Sequence, residues 1–150
     1  MKVDRVIELF LIEDNIADVR ITMEALKQSL TTVNLNVVSD GEQALSYLHR
    51  QGEYSNATIP DLILLDLNIP KTGGFEILVT VKRDLKLCVI PIIVLSTSSA
   101  EHDITLAYTM HANAYVCKPF VFAEFITFLQ AFQEFWLKAV ALPIKANELV

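Results

Sequence analysis

Five short runs of branched apolar residues punctuate the chain: Val6 to Ile12, Leu35 to Val38, Leu62 to Leu65, Ile90 to Leu95 and Ala114 to Val116. A run that is apolar throughout, rather than at every second position, is a strand covered on both faces, and such strands belong to parallel sheets flanked by helices. Between the runs, Ile16, Val19, Met23, Leu26 and Leu30 recur at helical spacing, as do Leu45 and Leu48, Phe75 and Leu78, and Ile104 and Tyr108. A fifth helical pattern starts after Pro119 with Phe122, Phe125, Ile126, Leu129, Phe132 and Trp136. The alternation predicts a single α/β domain over residues 1–150, with its core at about 5–137 and a tail over 138–150 too short to fold as a second domain. The one long irregular stretch is Gln51 to Pro60.

Composition narrows the class. With 53% hydrophobic and 20% charged residues, the chain is too apolar to stay disordered. Its apolar runs break before the roughly 18 residues a membrane span requires. A net charge of −6 disfavours binding to a phosphate backbone through bulk charge, so no nucleic-acid or membrane partner is expected. Acids within Met1 to Glu8 interrupt the stretch where a secretory signal is continuously apolar, which predicts a cytoplasmic protein. Cys88 and Cys117 lack metal or redox spacing and are expected as buried small hydrophobes. His49, His102 and His111 have no partner at metal or triad spacing and are expected at the surface.

Open parallel sheets bind ligands beyond the carboxyl ends of their strands. Here those ends carry Glu13-Asp14, then Asp66 followed by Leu67-Asn68-Ile69-Pro70, then Ser96-Thr97, then Tyr115 through Lys118-Pro119. Taken singly, each acid could be a helix cap. Taken together they form a carboxylate cluster, which repels itself unless an ammonium group or a divalent cation neutralises it. Oxygen donors without nearby His or Cys favour a hard ion, and sparse protein ligation suits Mg²⁺. A carboxylate so placed can attack phosphorus to form an acyl phosphate, with Asp66 as nucleophile and Lys118 as the neutralising cation.

Glu13-Asp14, the stretch Pro60-Asp61-Leu62-Ile63-Leu64-Leu65-Asp66-Leu67-Asn68-Ile69-Pro70, Ser96, Tyr115 and Lys118-Pro119 resemble, in order and spacing, the receiver domain of two-component response regulators. The resemblance covers about Arg5 to Leu137. It implies a flavodoxin-like, doubly wound sheet of five parallel strands in the order 2-1-3-4-5, with five helices. It also implies a signalling switch rather than an enzyme, in which Asp66 takes a phosphoryl group from a histidine kinase and the domain assists its own phosphorylation and dephosphorylation. Asp14, Asp66 and the Asn68 backbone carbonyl would hold Mg²⁺, with Glu13 acting through water. Ser96, with Thr97 as a competitor, would donate to a phosphoryl oxygen and Lys118 would pair with another. Tyr115 would be an aromatic switch, or simply a half-buried tyrosine, and the Lys118–Pro119 peptide would be cis. Gly52-Glu53-Tyr54-Ser55-Asn56-Ala57 and Glu134-Phe135-Trp136-Leu137 with Leu142-Pro143 resemble more narrowly the stand-alone regulators of cyanobacterial phytochromes, which have an extended last helix. A phytochrome histidine kinase is the partner this implies. Two positions depart from the receiver pattern: Gly73 replaces a common capping Asp before Gly74, and His111 stands where glycine is common.

On a wheel of 100° per residue, Phe135, Phe128, Val121, Phe132, Phe125, Trp136, Leu129, Val140 and Ile126 fill an arc of roughly 180°, whereas one sheet face needs about 100°. The excess predicts a homodimer through the face of helix 4, strand 5 and helix 5, with Phe125, Phe128, Phe132, Phe135 and Trp136 at the interface. A tail folding back through Leu142 and Ile144 is the alternative cover. Two other functions share parts of this pattern. A haloacid-dehalogenase-type phosphatase also uses an aspartyl phosphate, but needs a second acid two residues after its nucleophile, where this chain has Asn68. A flavin carrier needs a phosphate loop after strand one, where Glu13-Asp14-Asn15 would repel the phosphate.

Overall fold

The computed structural model describes residues 5–29 and 31–144. Leu30 of the first helical pattern and the ends of the 1–150 span lie outside the described residues.

The strands with the least polar sequences occupy the middle of the sheet. Strand β1 (Ile7–Ile12) is buried except at Glu8, and β3 (Leu62–Leu65) and β4 (Ile92–Ser96) are buried throughout. The edges are β2 (Val33–Val38) and β5 (Ala114–Cys117), both partly open to solvent. All pairings are parallel and the order is β2-β1-β3-β4-β5, as the resemblance to receiver domains implied. Leu9 pairs with both Leu35 and Leu62, and Ile63 with Ile92, so the central rows consist of branched side chains.

Alternation along the strands divides the core. Phe10, Ile12, Ile63, Leu65, Ile92 and Val94 face α2 (Gly41–Leu48), α3 (Gly74–Arg83) and α4 (Glu101–Thr109). Leu9, Leu11, Leu62, Leu64 and Ile93 face α1 (Ile16–Lys27) and α5 (Phe122–Phe132), to which Leu26 and Phe132 belong. Asn15 caps α1 by accepting the Asp18 N–H at 3.1 Å, and Asp40 caps α2 by accepting the Gln43 N–H at 2.7 Å. Gly73 supplies no side-chain cap to α3, as the missing carboxylate implied. Gly74 is obligatory for packing: a Cβ there would lie 2.5 Å from the Leu67 Cα.

The last helix departs from the wheel. After Phe132 the chain winds as a π-helix over Gln133–Ala139, with the Val140 N–H donating to the Phe135 carbonyl at 2.8 Å. Each π residue turns through less than the α-helical angle. The buried positions therefore run Phe125, Leu129, Phe132 and then Leu137, where an α-helix would have buried Trp136. Phe125 and Phe132, each 3% exposed, belong to the chain's own core and present nothing to a partner, which corrects their assignment to an interface. Phe128 and Trp136 are half-buried against the core, and Leu142 of the tail packs on the same cluster. Phe135 remains exposed.

Two further expectations are corrected. The cysteines are not fully buried: Cys88 is half-buried and Cys117 is exposed on the β5 edge, where neighbouring strands cover one side only. All peptide bonds among the described residues are trans, including Lys118–Pro119. The three histidines are exposed. No described helix is long and apolar enough to cross a membrane.

Candidate functional site

Parallel pairing carries the chain beyond the strand ends in step. The Asp66 N–H donates to the Ile12 carbonyl at 3.0 Å, which sets Asp66 beside Glu13. The Lys118 N–H donates to the Ser96 carbonyl at 2.6 Å, which sets Lys118 beside the end of β4. Four segments distant in sequence thus meet at one sheet edge, as sequence reasoning anticipated.

The Lys118 ammonium is the centre of the site. Its Nζ donates to Glu13 Oε1 at 2.5 Å, Asp18 Oδ2 at 2.9 Å and Asp66 Oδ2 at 3.2 Å. Glu13, Asp66 and Lys118 are all buried, so these bonds act in a medium where charge is costly unless paired. Burial alone would lower the Lys118 pKa, but its bonds to Glu13 and Asp18 and the charges of Asp66 and Glu13 outweigh that and hold it above its ordinary value. The ammonium therefore stays charged. Glu13 moves the other way: burial first, then its hydrogen bond with Asp66, push its pKa up to about 7 against the opposing pull of Lys118. Glu13 Oε2 also accepts the Asn15 N–H at 3.2 Å.

Glu13, Asp14 and Asp66 each offer one oxygen, all within 4.8 Å of one another. Such a set fits a hard divalent cation, and the exposure of Asp14 leaves a side open to the water such an ion retains. The Asn68 N–H donates to Asp66 Oδ1 at 2.9 Å, which brings the Asn68 backbone to the rim of the cluster. Ser96 is fully buried and its Oγ accepts the Ser98 N–H at 3.2 Å, whereas Thr97 is exposed. Tyr115 is half-buried and reaches the β4–α4 loop, where its hydroxyl donates to the Ser98 carbonyl at 2.8 Å. Asp61, within the resembling stretch, lies at the other end of β3 and accepts the Glu8 N–H at 2.8 Å.

Sequence reasoning missed Asp18. Its signal was present: Asn15 and Asp18 have capping-box spacing, and Asp18 falls one helical turn after Asp14. That pattern reads as the start of a helix, and nothing in it points to a lysine a hundred residues away.

Comparison with known proteins extends the match beyond the site. Response regulator Rcp1 of Synechocystis sp. (strain PCC 6803) is 41% identical over 135 residues, spanning 90% of this chain and 92% of Rcp1. The crystal structure of the Mn²⁺-bound form of Rcp1 superposes with a TM-score of 0.89 at 40% identity, covering 91% of this chain and 99% of the other. The phosphorylated cyanobacterial phytochrome response regulator RcpA gives a TM-score of 0.91 at 44% identity, over 93% of this chain and 100% of that one. The response regulator receiver domain family matches residues 9–130. That match runs from β1 into α5 and takes in every strand end that contributes to the acidic cluster, so the chain belongs to the response regulator receiver domains.

Proposed function

We propose that the chain is a phosphorylation-driven switch in which Asp66 accepts a phosphoryl group from the phosphohistidine of a sensor kinase. The observation that carries this reading is the buried contact of Lys118 Nζ with both Glu13 and Asp66 beside a metal-fitting carboxylate cluster. In the transfer, a lone pair on an Asp66 carboxylate oxygen forms the O–P bond while the P–N bond breaks, and its electron pair returns to the imidazole. Asp14, Asp66 and the Asn68 backbone carbonyl would hold Mg²⁺, with Glu13 acting through water, and the ion would supply charge neutralisation on the transferring oxygens. Lys118 pairs with one phosphoryl oxygen and the Ser96 hydroxyl donates to another, so the domain assists both uptake and slow hydrolysis. Movement of the Ser96 loop is passed to Tyr115, whose hydroxyl is already bonded to that loop at Ser98.

The likeness to RcpA supports a phytochrome histidine kinase as the donor. Output passes through protein contact, including a homodimer on the face of α4, β5 and α5; Phe135, in the π-helix that follows α5, is 57% exposed, and Phe128 and Trp136 are partly so. The test is phosphotransfer from a phosphorylated phytochrome kinase to the wild type and to Asp66→Asn. Label is expected on the wild type and not on the variant, and equal labelling of both would remove the assignment of Asp66.

A further inference from the structure

An ammonium has three protons, and in this chain all three Lys118 protons are taken by carboxylates, on Glu13, Asp18 and Asp66. If Asp66 accepts a phosphoryl group, the new anionic oxygens compete for those same protons, so one existing bond has to be released. The three are not equally easy to give up. The Glu13 side chain is 2% exposed, and stripping its partner would leave a buried carboxylate uncompensated. Asp66 meets Lys118 through Oδ2, and attack through Oδ1 would leave Oδ2 as a carbonyl oxygen that still accepts from the ammonium. The Asp18 side chain is 19% exposed, the most open of the three, so water can replace Lys118 there at the least cost.

We propose that Asp18 is a positioning residue that parks Lys118 in the unphosphorylated chain, and that the Lys118–Asp18 bond is the one exchanged for a phosphoryl oxygen. The inference rests on the reading of Asp66 as phosphoacceptor. Asp18 works against the phosphorylated form twice. It stabilises the resting position of the ammonium, and its negative charge stands beside the cation that an anionic phosphodonor approaches. The cap of α1 does not depend on this side chain, because Asn15 accepts the main-chain N–H of Asp18. Substitution at Asp18 therefore leaves the helix start intact.

The experiment uses acetyl phosphate with Mg²⁺ as donor: the Asp66 O–P bond forms as the P–O bond to the acetyl group breaks, and acetate leaves with the electron pair. Phosphoryl uptake, and its lifetime after donor removal, are followed in the wild type, Asp18→Ala, Asp18→Asn and Asp18→Glu. Loss of one partly exposed, charge-assisted bond predicts uptake roughly threefold to tenfold faster in Asp18→Ala, and a lifetime longer by a similar factor. Asp18→Asn, which keeps an acceptor but not the charge, is expected in between, and Asp18→Glu to return toward the wild type. A purely structural role for Asp18 would lower uptake and shift the melting temperature, without rescue by Glu. Wild-type labelling with Asp18→Ala unchanged or slower overturns this inference alone. A wild type that takes up no phosphoryl group overturns the reading of Asp66 and this inference with it.

Discussion

His111 has a φ of 74°, in the left-handed region where the Cβ crowds the following carbonyl. Relieving that crowding is worth about 1–2 kcal/mol, and the greater unfolded-state entropy of glycine cancels about 0.5–1 kcal/mol of it. His111→Gly is therefore expected to stabilise the chain by roughly 0.5–1 kcal/mol in urea denaturation; a drop in the midpoint would show that the imidazole makes a compensating contact. The sequence marked this position as unusual, while only the backbone shows the strain. Glu13 gives a pH dependence. Its folded pKa of about 7 lies above the ordinary 4.5, so the folded chain holds this proton more tightly than the unfolded one. The resulting stabilisation is complete below about 4.5 and is lost as pH rises through about 7. Glu13→Gln behaves as a permanently protonated form. In chelator, its melting temperature is expected to gain on that of the wild type between pH 5 and pH 8, and a gap that narrows over that range would contradict the buried, metal-free state of Glu13.

Among the five α-helices, α4 is the least anchored. Ala107 is its one buried residue and its N-cap, Ala100, makes no side-chain bond, whereas α3 buries Gly74, Ile77, Leu78 and Val81. Helices with little buried area open at low free energy. Amide exchange in α4 is expected to be at least tenfold faster than in α3, a difference of about 1.4 kcal/mol in opening free energy, measured by native-state hydrogen exchange. Equal protection would mean that α4 is too firmly held to be the element that repacks on phosphorylation. The contrast between these helices was not read from the sequence, where Phe75 and Leu78 in α3 and Ile104 and Tyr108 in α4 recur alike at helical spacing; it appears only in the packing, which buries Ile77, Leu78 and Val81 of α3 but only Ala107 of α4. The π winding after α5 was not legible. Periodicity arguments assume a constant angle per residue, and after Gln133 that angle changes, so that Leu137 joins the buried cluster formed by residues of β1, β3, β4 and α1.

At the scale of the molecule, the proposed dimer depends on how much apolar surface the folded chain leaves uncovered. Folding removes Phe125 and Phe132 from that surface and leaves Phe135, with parts of Phe128 and Trp136. Phe135→Glu is expected to convert a micromolar dimer to a monomer in light scattering while leaving the melting temperature nearly unchanged. A wild type that is already monomeric would return this face to the fold-back of the tail through Leu142. The amino-acid sequence by itself determined five apolar strands of a parallel sheet and the meeting of Glu13, Asp14, Asp66 and Lys118, while the strand order was implied by the resemblance to receiver domains. Strands covered on both faces read as nearly unbroken apolar runs, and a parallel sheet puts every strand's carboxyl end on one edge. Only the tertiary structure decided that Lys118 is shared with Asp18, that Leu137 rather than Trp136 enters the core and that Cys117 faces solvent. Those outcomes turn on shifts of an ångström or a few tens of degrees between packed segments, which no spacing along a chain encodes.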